Sequence, residues 1–302
     1  MAIPAARNES VTEVLPVGGL ETARRSELSR AWRRFTRYKL GVAGGVIVLS
    51  LILLAVFAPL FAPYSPTEKV GRRADPPSSE FLLGNDEIGR DVLSRLIYGS
   101  RVALIVGIGA MSIAVVIGVT IGAAAGYFGG KVDQALSRVV DALMAFPLLA
   151  LLITLAALFE PRLINVVIVI GVTVWASYAR VVRAEVLSLR ERDYIVAARA
   201  LGARSWRIIG RHMLPNVFGP VIVLASLDVG GIIILESALS FLGLGIQPPT
   251  PSWSGMLPAR RGLIRNAPHL AIAPGVAITV TVLAFNLLGD GLRDALDPRQ
   301  RE

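Results

Sequence analysis

The charges of this chain divide it into long uncharged runs. Between Lys39 and Glu68 lie 28 consecutive uncharged residues, and between Arg101 and Lys131 lie 29. The intervals Asp141–Glu160, Arg162–Arg180 and Arg265–Asp290 enclose 18, 17 and 24 more. A sixth apolar block, 215–245, is interrupted only by Asp228 and Glu236. A helix rises about 1.5 Å per residue, so about 20 mostly apolar residues cross the hydrocarbon of a bilayer. Lipid offers backbone N–H and C=O groups no partner, so runs of this kind must be helical. They are continuous rather than alternating, which excludes a transmembrane β-barrel. The first run is too long for the apolar core of a secretory leader and starts about 40 residues in. The pattern predicts an all-α membrane protein with six transmembrane helices near 40–62, 102–126, 138–159, 163–181, 215–241 and 268–290.

Composition agrees. Of the 302 residues, 54% are hydrophobic and 18% are charged, against roughly a quarter charged in a soluble domain. Cysteine is absent, which removes thiol catalysis, iron–sulfur ligation and Cys-based zinc sites. The formal charge of +9 suggests nucleic acid in a soluble protein. Here 21 of the 31 Lys and Arg residues fall in 1–39, 127–138, 180–214 and 291–302. By the positive-inside rule this asymmetry predicts both termini in the cytoplasm, and it accounts for the charge without nucleic acid. The expected organisation is a cytoplasmic tail with an interfacial helix over 1–39, a six-helix domain over 40–290 and a cytoplasmic tail over 291–302. The domain carries an outside loop at 64–99 and a cytoplasmic loop at 182–214.

Several segments have local signatures. Arg30–Lys39 (RAWRRFTRYK) interleaves arginine with aromatics, as suits a helix start lying at anionic headgroups, so membrane lipid is one expected partner. The stretch from Phe81 to Arg101 reads as a short amphipathic helix before the second span, with Ile88, Val92, Leu93, Leu96 and Ile97 on its apolar face. Gly118, Gly122 and Gly126, like Gly41 and Gly45, are spaced for close helix approach, within the chain rather than at a dimer seam. Pro147 is expected to kink the third span, near Asp141, Met144 and Phe146.

The loop RERDYIVAARALGARSWRIIGRHMLPN (Arg190–Asn216) is the most informative stretch. It reads as two short helices. The first closes at Gly202 in a left-handed conformation, and the second is N-capped by Ser205. Tyr194, Ile195, Ala198 and Leu201 recur at three and four residues and make one apolar face. A short, glycine-capped, arginine-flanked helix with small residues Ala197, Ala198 and Ala200 is built to dock in a groove.

The spacing of Ala197-Ala198, Gly202 and Leu214-Pro215 resembles the "EAA" loop of inner-membrane permeases of ATP-binding-cassette importers, with Val196 at the glutamate position and His212 at the usual isoleucine. Leu83–Arg101, Tyr194–Ala203 and Glu236–Trp253 are similar to the C-type permeases of dipeptide, oligopeptide and nickel importers, with Ser254 where that family usually has glycine. The resemblance covers about Arg34 to Pro298. It implies the type I importer permease fold and transport by alternating access. It makes Ala197, Ala198, Arg199, Ala200, Leu201, Gly202, Ala203, Arg204 and Ser205 the element that docks on an ATPase. It also implies as partners a sister (B-type) permease, two ATPase subunits and an external substrate-binding protein in a plasma (inner) membrane. The substrate it implies first is a short peptide, with nickel or another small solute as the alternative.

This chain has no GxxxxGK[ST] loop. It is therefore expected to bind no cofactor and not to be an enzyme, with ATP and Mg used by the partner subunits. Asp228 and Glu236 lie inside the fifth span, where an ionisable group costs several kcal/mol and faces a cavity or a partner. Together with Asp141 and Met144 they are the candidates for a translocation path. A structural polar contact is the equal alternative for Asp228 and the preferred one for Glu236. His212 and His269 fall on opposite sides of the membrane and cannot share a metal. A membrane enzyme lacks a catalytic constellation. A stand-alone secondary transporter should show paired inverted repeats and intramembrane charges in both halves, whereas here both mid-span acids, Asp228 and Glu236, sit in the fifth span.

Overall fold

The computed structural model describes residues 29, 32–257 and 265–296. Among these the regular structure is helical: α1 (Lys39–Val56), α2 (Ala58–Phe61), α3 (Val92–Phe128), α4 (Gly130–Ala145), α5 (Leu148–Ala156), α6 (Leu163–Arg190), α7 (Asp193–Ala200), α8 (Ser205–Phe241) and α9 (His269–Leu296). The tails of 1–39 and 291–302 fall largely outside the described residues.

Among the described residues five helices (α1, α3, α6, α8 and α9) are long and apolar enough to cross a membrane, and the bent pair α4–α5 is a candidate sixth. Gly118 of α3 meets Trp175 and Ala179 of α6, Gly122 meets Val182 and Arg183, and Gly126 meets Arg183 and Val186. Both helices advance together, so α3 and α6 run parallel. A chain leaving one end of the bundle can run parallel to itself only if it returns in between. The pair α4–α5 makes that return, bent by 89°. α8 then runs back against α3 and α6, and α9 runs down beside α1, with Gly41 against Gly291 and Gly44 against Leu288. Lys39, α7 and Leu296 therefore share one end, the loop end. Residues 62–91 and 242–257 share the other, the cap end. One apolar core runs through the bundle, including Val106, Ala110, Ile170, Val182, Ile233 and Ala284.

The structure redraws several expected boundaries. The second span does not follow a separate amphipathic helix. Residues 81–91 are turns, and the helix starts at Val92, where the Asp91 carboxylate accepts from the Ser94 amide at 2.7 Å. It continues unbroken for 37 residues to Gly129 at φ +65°. Of the expected apolar face, Val92 and Ile97 are buried while Ile88 is exposed. The third span is not one helix over 138–159. It starts at Gly130 and breaks at Phe146, which is extended because the following Pro147 disfavours helical backbone. The fourth span runs nine residues past 181, to Arg190. The sixth ends at Leu296 rather than 290.

The glycine ladder is an intramolecular seam. A Cβ on Gly122 would stand 2.9 Å from the Val182 Cβ, whereas one on Gly275 of α9 would meet nothing within 4 Å. Gly122→Ala is expected to destabilise the protein by about 1–3 kcal/mol through overpacking, and Gly275→Ala to leave it unchanged. Thermal melting of the two purified variants in one detergent checks the contrast.

Candidate functional site

Two assemblies of side chains stand out, one at each end of the bundle. At the loop end, α7 closes in a Schellman arrangement. The Gly202 amide donates to the Arg199 carbonyl at 3.0 Å and the Ala203 amide to the Ala198 carbonyl at 3.1 Å. Gly202 has φ +77°, the conformation that glycine adopts without penalty. The expected apolar face divides in two. Ile195 is completely buried, in the same core as Ile208 and Met213, and Ala198 is half-buried beside it. Tyr194, Val196, Ala197, Ala200 and Leu201 are exposed, Leu201 at 88%. Alternate sides of one short helix thus serve attachment and display. Arg199 turns back over the Tyr127 ring at 5.7 Å, and Arg190 donates to the Tyr127 carbonyl at 3.4 Å, fixing the loop to the end of α3.

Ser205 does not cap the second helix. Arg204 holds the N-cap position in extended backbone, without a side-chain bond, and Ser205 is the first helical residue. Nor is that second helix separate. It passes through a π-helical segment, Ile208–Met213, directly into the fifth span. Pro215 has no N–H for the carbonyl one turn back, and a wider turn just before it suits that loss. The Asn216 side chain donates to the His212 carbonyl at 2.7 Å.

At the cap end, Glu236 of α8 is 4% exposed. Its carboxylate accepts from Ser240 Oγ at 2.6 Å and from Ser254 Oγ at 2.8 and 3.0 Å. The neighbouring Trp253 indole donates to the Leu96 carbonyl at 2.8 Å, and its ring lies where a Cβ on Gly99 would come within 2.5 Å. Two stretches distant in sequence, Leu83–Arg101 and Glu236–Trp253, are thereby locked together over the top of α3.

The four path candidates do not gather on one surface. Glu236 is enclosed by the serines of the cap. Asp228 is half-buried and accepts from Tyr178 Oη at 2.6 Å. Asp141 and Met144 lie on the exposed side of α4, where Asp141 pairs with Arg180 at 2.8 Å. Arg183 binds Asp133 through two bonds, at 2.5 and 2.7 Å. Arg180 and Arg183 of α6 thus make long-range clasps onto α4. Tyr178, Asp133 and Gly99 belong to these arrangements without having been singled out from the sequence. An acid inside the fifth span, which demands a donor, was the available signal for Tyr178; Asp133 and Gly99 carry none. No group of three or more His, Cys, Asp or Glu residues that could hold a metal occurs among the described residues.

Residues 118–302 match the family described as the inner membrane component of binding-protein-dependent transport systems, and residues 26–78 match the N-terminal transmembrane domain of oligopeptide transport permease C. The chain belongs to this permease family, and it is a multi-pass inner-membrane transport subunit. Among similar proteins, the dipeptide transport system permease protein DppC of Alkalihalophilus pseudofirmus is 43% identical over 272 residues, 90% of each chain. The glutathione transport system permease protein GsiD of Pectobacterium atrosepticum is 44% identical over 270 residues, 89% of this chain and 90% of the relative. The dipeptide permease DppC of Bacillus subtilis is 42% identical over 275 residues, 90% of this chain and 85% of the relative.

Ser254 adds a second donor to Glu236 beside Ser240. Ser254→Gly should lower the melting temperature modestly, because Ser240 still donates and one hydrogen bond is worth about 1 kcal/mol. Glu236→Ala, which strands both serines and leaves a cavity, should cost several times more. Equal melting temperatures for the two variants would show that the cap does not rest on this carboxylate.

Proposed function

We propose that this chain forms one half of the transmembrane channel of an importer for short peptides, paired with a sister permease. It is driven by two separate ATPase subunits that carry the ATP and Mg. An external binding protein delivers substrate at the cap end, and the loop end faces the cytoplasm. The relatives' names, dipeptide and glutathione permeases, support the substrate class, and the basic residues of the loop end support the orientation.

One observation carries the coupling role. α7 is anchored inward by Ile195, displays Ala197, Ala200 and Leu201 outward, and is joined to α8 by the short turn 201–204. A load on the displayed face is therefore delivered to a spanning helix across a connection of only four residues. When the ATPases close on ATP, α7 moves with them and α8 moves with α7, so the path exchanges its outward opening for an inward one. Transmission requires that the two arrangements bind the ATPases with different free energies. Asp228, held by Tyr178, is the polar point of this moving helix along the path.

Leu201→Arg is expected to abolish ATPase co-purification and peptide uptake, while insertion and the melting temperature stay as in the native protein. Gly202→Asp, strained by about 1 kcal/mol at positive φ, should weaken both more mildly. The measurement is subunit stoichiometry after pull-down together with dipeptide-stimulated ATP hydrolysis in proteoliposomes. Native values in Leu201→Arg would remove α7 from the coupling path.

Orientation has its own test. The native chain contains no cysteine, so a single Ser205→Cys is read without background. An impermeant maleimide should label it in inverted membrane vesicles and not in intact cells. Labelling in intact cells would reverse the topology.

A further inference from the structure

Of the 16 residues of α4, only Val140 is buried. Between this helix and the α3–α6 seam lies a cavity of about 280 Å³, with Leu136 and Val140 of α4 on one side and Ile121, Ala125 and Ala179 on the other. Two ion pairs at its rim set the distance across it. Arg183 of α6 reaches Asp133 through a fork of two bonds, and Arg180 reaches Asp141 at 2.8 Å. Both pairs are at least partly exposed, and such pairs contribute little to stability. Little free energy therefore separates the paired arrangement from a parted one. Both ends of α4 are joints. Gly129 precedes it at φ +65° and Gly130 begins it at φ +52°, where a Cβ would meet nothing within 4 Å. At the other end the break at Phe146 and Pro147 turns the chain by 89° into α5. The first joint is also wired to α7. A Cβ on Gly129 would stand 2.8 Å from Arg190 Nη1, the group that donates to the Tyr127 carbonyl, and Arg199 of α7 lies over the Tyr127 ring.

We infer that α4 is a hinged arm, propped off the α3–α6 seam by Arg180 and Arg183, which folds inward over the cavity when the ATPases displace α7. The inference rests on α7 as the coupling element and adds a second moving part beside α8. The seam itself has no room to close further, because Gly118, Gly122 and Gly126 already bring α3 and α6 to backbone contact. The space beneath α4 is where a helix can move without overpacking. Closing it brings Leu136 and Val140 against Ile121 and Ala125, so apolar burial favours the inward position and the two charged props oppose it. A movement of this kind needs a few residues at element ends that absorb the change in φ and ψ, and α4 has them on both sides. Tyr127 is the link to α7. It is held by α7 through its ring and by the foot of α6 through its carbonyl, two residues before the Gly129 joint.

The test uses the complete transport complex in nanodiscs, with cysteine-free partner subunits and spin labels on paired cysteines. The native chain adds no cysteine of its own. Val116→Cys on α3 with Val139→Cys on α4 reads the arm, and Val116→Cys with Ile168→Cys on α6 reads the seam. All three positions are exposed. At about 100° per residue, Val116 stands roughly 140–180° around α3 from Ile121 and Ala125, so inward movement of α4 shortens the first distance. Loaded binding protein and a non-hydrolysable ATP analogue should shorten it by about 3 Å and leave the seam distance unchanged. That shift is the depth of the cavity beneath Leu136–Asp141 of a helix about 10 Å across. Asp133→Ala/Asp141→Ala should show the shorter distance without nucleotide, and Asp133→Glu/Asp141→Glu should keep the native response. Ser137→Leu fills the cavity from α4 and should abolish the shift. Tyr127→Leu removes the ring beneath Arg199 and should abolish it too. Gel filtration and ATPase stoichiometry show that each variant complex is assembled. An unchanged Val116–Val139 distance in a native complex that hydrolyses ATP overturns the inference and leaves the coupling reading standing. So does a lengthened distance, a shift that survives Ser137→Leu or Tyr127→Leu, or an equal shift on the seam pair. Failure of the coupling reading shows separately, as ATPases retained by Leu201→Arg.

Discussion

The close approach of α3 and α6 is the contact from which the rest of the architecture follows. Lipid provides no hydrophobic force between helices, so association depends on how near two backbones can come. Gly118, Gly122 and Gly126 remove three consecutive side chains from one face of α3 and let α6 lie against its backbone. Because the two helices are parallel, the chain between them must cross the bundle once more. The α4–α5 pair makes that crossing largely outside the seam, and most of α4 is left exposed. The half-covered span of this family member is thus a topological result of a well-covered one.

Polar groups at membrane depth then sort themselves by what they bind. Glu236 is closed in by two serines, and Asp228 is held by one tyrosine. Asp133 and Asp141 clasp arginines of α6 from the otherwise loosely packed α4. An uncompensated charge inside a span costs several kcal/mol, so the bonds that hold Glu236 and Asp228 also select a helix arrangement. The clasps on α4 keep the broken span against the core at the end where the apolar seam runs out.

The helical candidate spans, their order and the Gly202 turn were legible in the sequence because each rests on a local rule: run length, charge spacing or positive φ. The features that were not legible are those fixed by partners far along the chain. Arg183 and Asp133 are 50 residues apart, and nothing in either neighbourhood names the other. The periodicity of Tyr194, Ile195, Ala198 and Leu201 marks an apolar helix, yet it does not say which members face inward. That depends on Ile208 and Met213, which arrive through a π-turn that no propensity rule places. Ser205 has the chemistry of an N-cap, but Arg204 already occupies the extended position before the helix. Three of the four path candidates, Asp228, Glu236 and Asp141, are charged residues, and charge does not reveal that Glu236 lies beneath Ser254.

The length of α6 sets how far the loop end stands from lipid. Its 28 residues extend about 42 Å at 1.5 Å per residue, whereas the hydrocarbon core is about 30 Å thick. The surplus amounts to about two turns of rigid helix, available at the loop end to hold α7 off the hydrocarbon. A globular protein can then approach the displayed face of α7 squarely, without pressing its own surface into the membrane. The stand-off also sets a leverage: a small tilt of α6 within the bilayer becomes a wider sweep at the tip of the loop, and the same ratio returns a broad movement at the tip as a fine adjustment among the buried side chains.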